Sequence, residues 1–115
     1  MKRRSRWIIA GALVAVCAMT SATMAEEKQE QQLQVMIKNG ALQPETLQAK
    51  ADIGIVLTVT NGRQADVEFE SMELSLEEVI RSGESVTIAI PPLAPGRYEV
   101  FDEFQPGVRG WIVVE

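Results

Sequence analysis

Carboxylates dominate the chemistry this chain can offer. Glu68 and Glu70 sit two residues apart in the alternating stretch Asp66 to Met72, and Asp102, Glu103 and Gln105 sit together in a polar run near the C-terminus. Residues two apart on a strand project from one face, so Asp66, Glu68 and Glu70 form an acidic row. If the later run lies at the same end of the fold, Asp102 and Glu103 join that row, with Gln105 beside them. Hard oxygen donors in such numbers suit ferric iron, manganese, calcium or magnesium better than cuprous copper. Met72 has the same parity as Glu68 and Glu70, and a thioether there would add affinity for copper; the competing reading makes it a gap filler or an exposed apolar residue. The candidate ligands of a single metal ion are thus Glu68, Glu70, Met72, Asp102, Glu103 and Gln105. If they converge, amides in place of Glu68 and Asp102 should abolish ion binding and spare the fold. A solvated acidic end with no ion bound fits the same residues.

Other chemistries lack their residues. The 115-residue chain has no histidine and one cysteine, Cys17. That cysteine falls in a segment read as a secretory signal peptide, residues 1–25: Lys2, Arg3, Arg4 and Arg6 give a cationic start, Trp7 to Thr20 is mostly apolar, and Thr23-Met24-Ala25 suits a signal peptidase. Roughly 14 apolar residues fall short of the ~20 that cross a bilayer. Without Cys17, the mature chain can form neither disulfides, thiolate or imidazole ligands, nor a Cys or Ser/His nucleophile system. Asp102 and Glu103 do not serve as a glycosidase pair, because neighbouring residues on a strand point in different directions. Gly107 and Gly110 are not followed by a helix that would bind phosphate. A binding protein rather than an enzyme is expected.

Charge narrows the partners. Of 11 basic residues, four leave with the signal peptide; the remaining 7 face 16 acidic ones, a net charge of −9. Such a domain repels nucleic acid and attracts cations or a basic protein surface.

Strands must position these groups. Glu26 to Gln32 reads as a flexible lead-in, and the domain as residues 33–115. Leu33 to Lys38 alternates and Asn39-Gly40 turns the chain. Pro44 argues against a helix over Ala41 to Lys50, leaving Thr46 to Gln48 as a short edge strand. Ile53 to Thr60 has the β-branched character of a central strand. Leu74 to Ile80 fits one helical turn or an irregular strand. Ser85 to Ile90, Arg97 to Phe101 and Gly110 to Val114 complete about seven strands, which make an antiparallel Greek-key β-sandwich, an all-β fold. The expected core is Val35, Ile37, Ile55, Leu57, Val59, Phe69, Val86, Ile88, Tyr98, Val100, Trp111 and Val113. Tyr98 is placed to bond its hydroxyl back to the preceding turn.

A family resemblance runs through several of these segments. Val59-Thr60-Asn61, Glu68-Phe69, Ile88-Ala89-Ile90, Leu93, Pro95-Gly96-Arg97-Tyr98 and Gly110 to Val114 resemble a cupredoxin. Glu68-Phe69-Glu70-Ser71 and Phe101-Asp102-Glu103-Phe104 with Pro106 are similar to the EfeO-type cupredoxin-like domains, secreted proteins of bacterial iron-uptake systems. The resemblance places Glu68 at the first histidine of a blue-copper site, Asp102 at the cysteine, Gln105 near the second histidine and Val108 near the methionine. A type 1 copper centre, which needs two imidazoles and a thiolate, is not expected on that pattern. What the resemblance implies is a periplasmic protein that binds iron or copper, or assists its redox chemistry, beside a membrane iron-permease complex or another periplasmic protein. A metal-free adaptor that docks its acidic end on a basic partner is the alternative.

Overall fold

The computed structural model describes residues 29–115 together with Gly11, Ala15 and Cys17. The expected signal peptide, apart from those three positions, and the first residues of the lead-in lie outside the described residues. Nine strands are described: β1 (Glu30–Lys38), β2 (Ala41–Gln43), β3 (Thr46–Ala49), β4 (Gly54–Asn61), β5 (Val67–Ser71), β6 (Leu76–Ile80), β7 (Ser85–Ile90), β8 (Gly96–Asp102) and β9 (Arg109–Val114). They form a four-stranded sheet in the order β2-β1-β4-β7 and a five-stranded sheet in the order β3-β9-β8-β5-β6. The sandwich expected from the strand pattern is therefore present, with β2 and β6 added to the strands the sequence indicates.

Local chemistry explains most of these elements. Asn39 and Gly40 both take positive φ, 55° and 70°, which a two-residue hairpin turn requires, and β1 folds back on β2 with Lys38 opposite Ala41. The segment Leu74 to Ile80 resolves as a strand, because β6 completes a hairpin with β5 and places Ile80 opposite Val67 in the core. Glu30 to Gln32, expected as flexible lead-in, extend β1, where they pair with Gly54 to Val56 of β4. Two pairings, β1 with β4 and β3 with β9, run parallel. Each follows from a chain that crosses to the other sheet and returns, the connection that parallel neighbours need.

Apolar burial holds the two sheets together. Ile37, Leu57, Val59, Val67, Phe69 and Ile112 are fully buried between them, and burial of each such side chain contributes about 1.5–3 kcal/mol. Most of the expected core is in place. Val86 is only partly buried against it, and in β9 Ile112 and Val114 face inward while Trp111 and Val113 are only half-buried on the outer face. Gly110 to Val114 is apolar throughout, so no polar residue marks which parity is the solvent side. Trp111 instead packs under Arg97, whose guanidinium carbon lies 4.5 Å from the ring centroid. Tyr98 is half-buried and packs against the core, and its hydroxyl donates to the Ala94 carbonyl at 2.8 Å.

Among the described glycines, Gly110 is the most tightly enclosed. A Cβ there would collide with the Glu45 carbonyl oxygen and lie 2.8 Å from Leu42 Cδ1. The same Glu45 carbonyl accepts from the Trp111 amide at 2.8 Å, which ties the loop after β2 to the start of β9.

Candidate metal site

Strand parity divides the expected ligands into two groups. In β5, Val67, Phe69 and Ser71 face the core while Glu68 and Glu70 face outward. Asp102, the last residue of β8, pairs with Phe69 rather than with either glutamate. It therefore shares the inward face, and only 2% of it is exposed. The loop after β8 does meet β5, as the metal hypothesis requires, but through the main chain: the Glu103 amide donates to the Glu68 carbonyl at 2.9 Å, and the Glu68 amide donates to Asp102 Oδ1 at 3.1 Å. Glu68 and Asp102 are neighbours with side chains on opposite faces of the sheet. The six expected residues therefore do not share one face, Asp102 being turned inward and Glu68 and Glu70 outward.

The inward group is closed on itself. Asp102 Oδ1 also accepts from the Phe104 amide at 3.0 Å, a local turn that folds the loop back over the strand end. Its Oδ2 faces Arg63 Nη1 at 3.5 Å. With its amide oxygen turned toward Arg63, Gln105 accepts from Nη2 at 2.9 Å and from Nε at 3.3 Å. Asp102 and Gln105 thus both serve a guanidinium. Arg63 is positioned in turn by Asn61, which is fully buried at the end of β4. Asn61 Oδ1 accepts from the Arg63 amide at 2.8 Å, and its Nδ2 donates to the carbonyls of Ala65 at 2.8 Å and Ile80 at 2.9 Å. The Ser82 hydroxyl donates to the Arg63 carbonyl. Neither Asn61 nor Arg63 figures among the sequence candidates; the available signal was an arginine directly after the Asn61-Gly62 pair in a strongly acidic domain.

The outward group gains a member. Glu77 of β6 stands opposite Glu70, and carboxylate oxygens of Glu68, Glu70 and Glu77 lie within 4.8 Å of one another. Glu77 was hidden in the sequence because the hairpin register that brings it there depends on β6 being a strand. For Glu68, the carboxyl contact with Glu77 works downward, but the contact with Glu70, partial burial and the charges of Glu70 and Glu103 outweigh it, so its pKa stands above the ordinary carboxylate range. Glu77 is raised by the contact with Glu68, by the Glu68 charge and by lost solvation. Like charges this close favour a bound proton or a bound cation.

Met72 and Glu103 flank this face without completing it. Met72 lies in the turn between β5 and β6 and is 79% exposed. With Glu99, Phe101, Glu103 and Pro106 it lines a shallow depression of about 420 Å³ beside the loop. Phe104, at the loop's tip, is 51% exposed.

Comparison with known proteins gives a consistent result. The family description "Cupredoxin-like domain" matches residues 9–114. An uncharacterised protein of Rickettsia prowazekii (strain Madrid E), RP394, is 32% identical over 84 residues, which cover 72% of this chain and 67% of that protein. Among solved structures, the metal-binding domain of the Cu(I)-exporting P-type ATPase CopA of Streptococcus pneumoniae D39, solved with Cu(I), superposes with a TM-score of 0.69 at 20% identity, covering 77% of this chain and 89% of that one. Auracyanin A, a "blue" copper protein of Chloroflexus aurantiacus, gives a TM-score of 0.63 at 11% identity, with 75% and 99% covered. At these identities the structural likeness concerns the fold alone.

Proposed function

Because the chain belongs to the cupredoxin-like domain family, we propose that it is an exported metal-handling accessory protein, one that holds a hard cation on its outer glutamates. Copper of the type 1 kind does not fit the residues present. Such a centre needs imidazole and thiolate donors, the chain has no histidine, and the two residues that the resemblance places at its cysteine and second histidine, Asp102 and Gln105, are engaged with Arg63. The fold suggests a copper-binding or redox-related role, and the donor set of this chain turns that role toward oxygen chemistry.

One observation carries this reading: the convergence of Glu68, Glu70 and Glu77 within 4.8 Å. Metal–oxygen bonds of roughly 2.0–2.6 Å keep ligand oxygens about 3–5 Å apart, so the three carboxylates can close on one ion with small side-chain movement. Ferric iron or manganese would satisfy the site, with water completing the shell. The EfeO-type resemblance and the expected signal peptide support a periplasmic setting beside a metal permease, where the protein would bind and deliver its ion without turning over a substrate.

Calorimetric titration with ferrous, ferric, manganous and cupric ions tests the proposal. Saturable one-to-one binding, lost in Glu70→Gln/Glu77→Gln, is the expected result. Absence of binding across the series removes it and favours the second reading, an adaptor that docks its acidic end on a basic partner. That second reading has its own support in the exposed Phe104 and Met72 at the rim of a loop whose polar groups are already satisfied.

A further inference from the structure

We propose that the Arg63 guanidinium is a built-in cation that occupies the polar end of the β8–β9 loop and closes it to metal ions. The proposal stands apart from the outer-face site, because it concerns side chains on the other side of the sheet.

The geometry carries it. Asp102 has a fully buried carboxylate, with side-chain exposure of 0%, and a buried carboxylate demands a counter-charge. Arg63 supplies one from a side chain that is itself only 22% exposed. Its planar fork is used on three sides: Nη1 toward Asp102 Oδ2 at 3.5 Å and the Asp66 carbonyl at 3.4 Å, Nη2 and Nε toward the Gln105 oxygen at 2.9 and 3.3 Å. A carboxylate and an amide oxygen thus converge on one positive group, as ligands converge on an ion. The scaffold fixes that group from behind, through Asn61 Oδ1 on the Arg63 amide and the Ser82 hydroxyl on its carbonyl. Among the described residues, no buried side-chain polar atom is left without a partner. A metal ion entering here would have to expel the guanidinium and leave it charged and unpaired, which opposes binding.

The arrangement also assigns Arg63 a positioning role. It holds Asp102, whose Oδ1 orders the Glu68 and Phe104 amides, so the loop conformation depends on a cation that the chain carries with it. A side chain that merely screened surface charge would have no such effect.

Chemical complementation tests the idea. Arg63→Ala should lower Tm by about 10 °C. Guanidinium ion at concentrations far below denaturing ones should restore Tm saturably in the variant and leave the wild type unchanged, whereas urea, of similar shape but neutral, should restore nothing. The rescue should vanish in Arg63→Ala/Asp102→Asn. A variant that melts like the wild type, or that guanidinium does not rescue, overturns the proposal. A second measurement needs no variant: the Arg63 Nε–H and Gln105 side-chain amide signals in the nuclear magnetic resonance spectrum should stay in place at saturating magnesium or zinc. Their displacement by either ion would show a guanidinium that yields its place to metal, and would contradict the lock.

Discussion

Asp102 and Glu68 share a hydrogen bond but not a face, and that difference changes what each does when mutated. Asp102→Ala leaves the Glu68 and Phe104 amides without their acceptor and the Arg63 guanidinium without its counter-charge. It should cost roughly 2–4 kcal/mol, read in a denaturant melt. Asp102→Asn keeps one oxygen but turns an NH2 toward Arg63, and should cost about 1–2 kcal/mol. Neither change should abolish metal binding on the outer face, contrary to what the sequence pattern alone suggests for Asp102. The glutamates behave differently, because their cost lies in mutual repulsion. The raised pKa values of Glu68 and Glu77 mean that the folded protein binds more protons than the unfolded chain between the ordinary carboxylate range and the raised values. Stability from these groups is therefore fully present below the ordinary range and lost as pH rises through the raised values. In metal-free protein, Glu77→Gln should raise Tm at neutral pH and flatten this pH dependence; a variant whose Tm tracks the wild type at every pH would contradict it.

The elements show how much the sequence conveyed and where it stopped. Alternation marked β1, β5 and β7, where most polar residues fall on one face and most apolar ones on the other, and β-branched enrichment marked β4. Gly110 to Val114 lacks that contrast, so the sequence could place a strand there without saying which side was buried. The inward parity found for Ile112 makes a clear prediction: Ile112→Ala should cost about 2–5 kcal/mol, as core truncations do, while Val113→Ala should cost under about 1 kcal/mol. Equal losses in thermal melts would mean that the strand faces otherwise. Gly110→Ala should destabilise by roughly 1–3 kcal/mol, because the Glu45 carbonyl and Leu42 leave no space for a methyl group. The candidate site was legible in part. Glu68 and Glu70 could be read from two-residue spacing, but Glu77 depended on a hairpin register and Arg63 on a loop anchored by a buried asparagine, neither of which is encoded in local periodicity.

At the scale of the molecule, the two faces of one sheet are put to separate uses. The inner face ends in a polar lock that carries its own positive charge, and the outer face gathers carboxylates that have no cation of their own among the described residues. This division accounts for a cupredoxin-like sandwich that keeps the fold without histidine or a thiolate in the loop. A cation should bind on the outer glutamates and not in the β8–β9 loop. Paramagnetic line broadening by manganous ion distinguishes the two places. The backbone amide signals of Glu70 and Glu77 should be lost first, in a saturable manner, with Gln105 and Val108 retained until later. Broadening centred on Gln105 to Val108, with Glu77 unaffected, would contradict it.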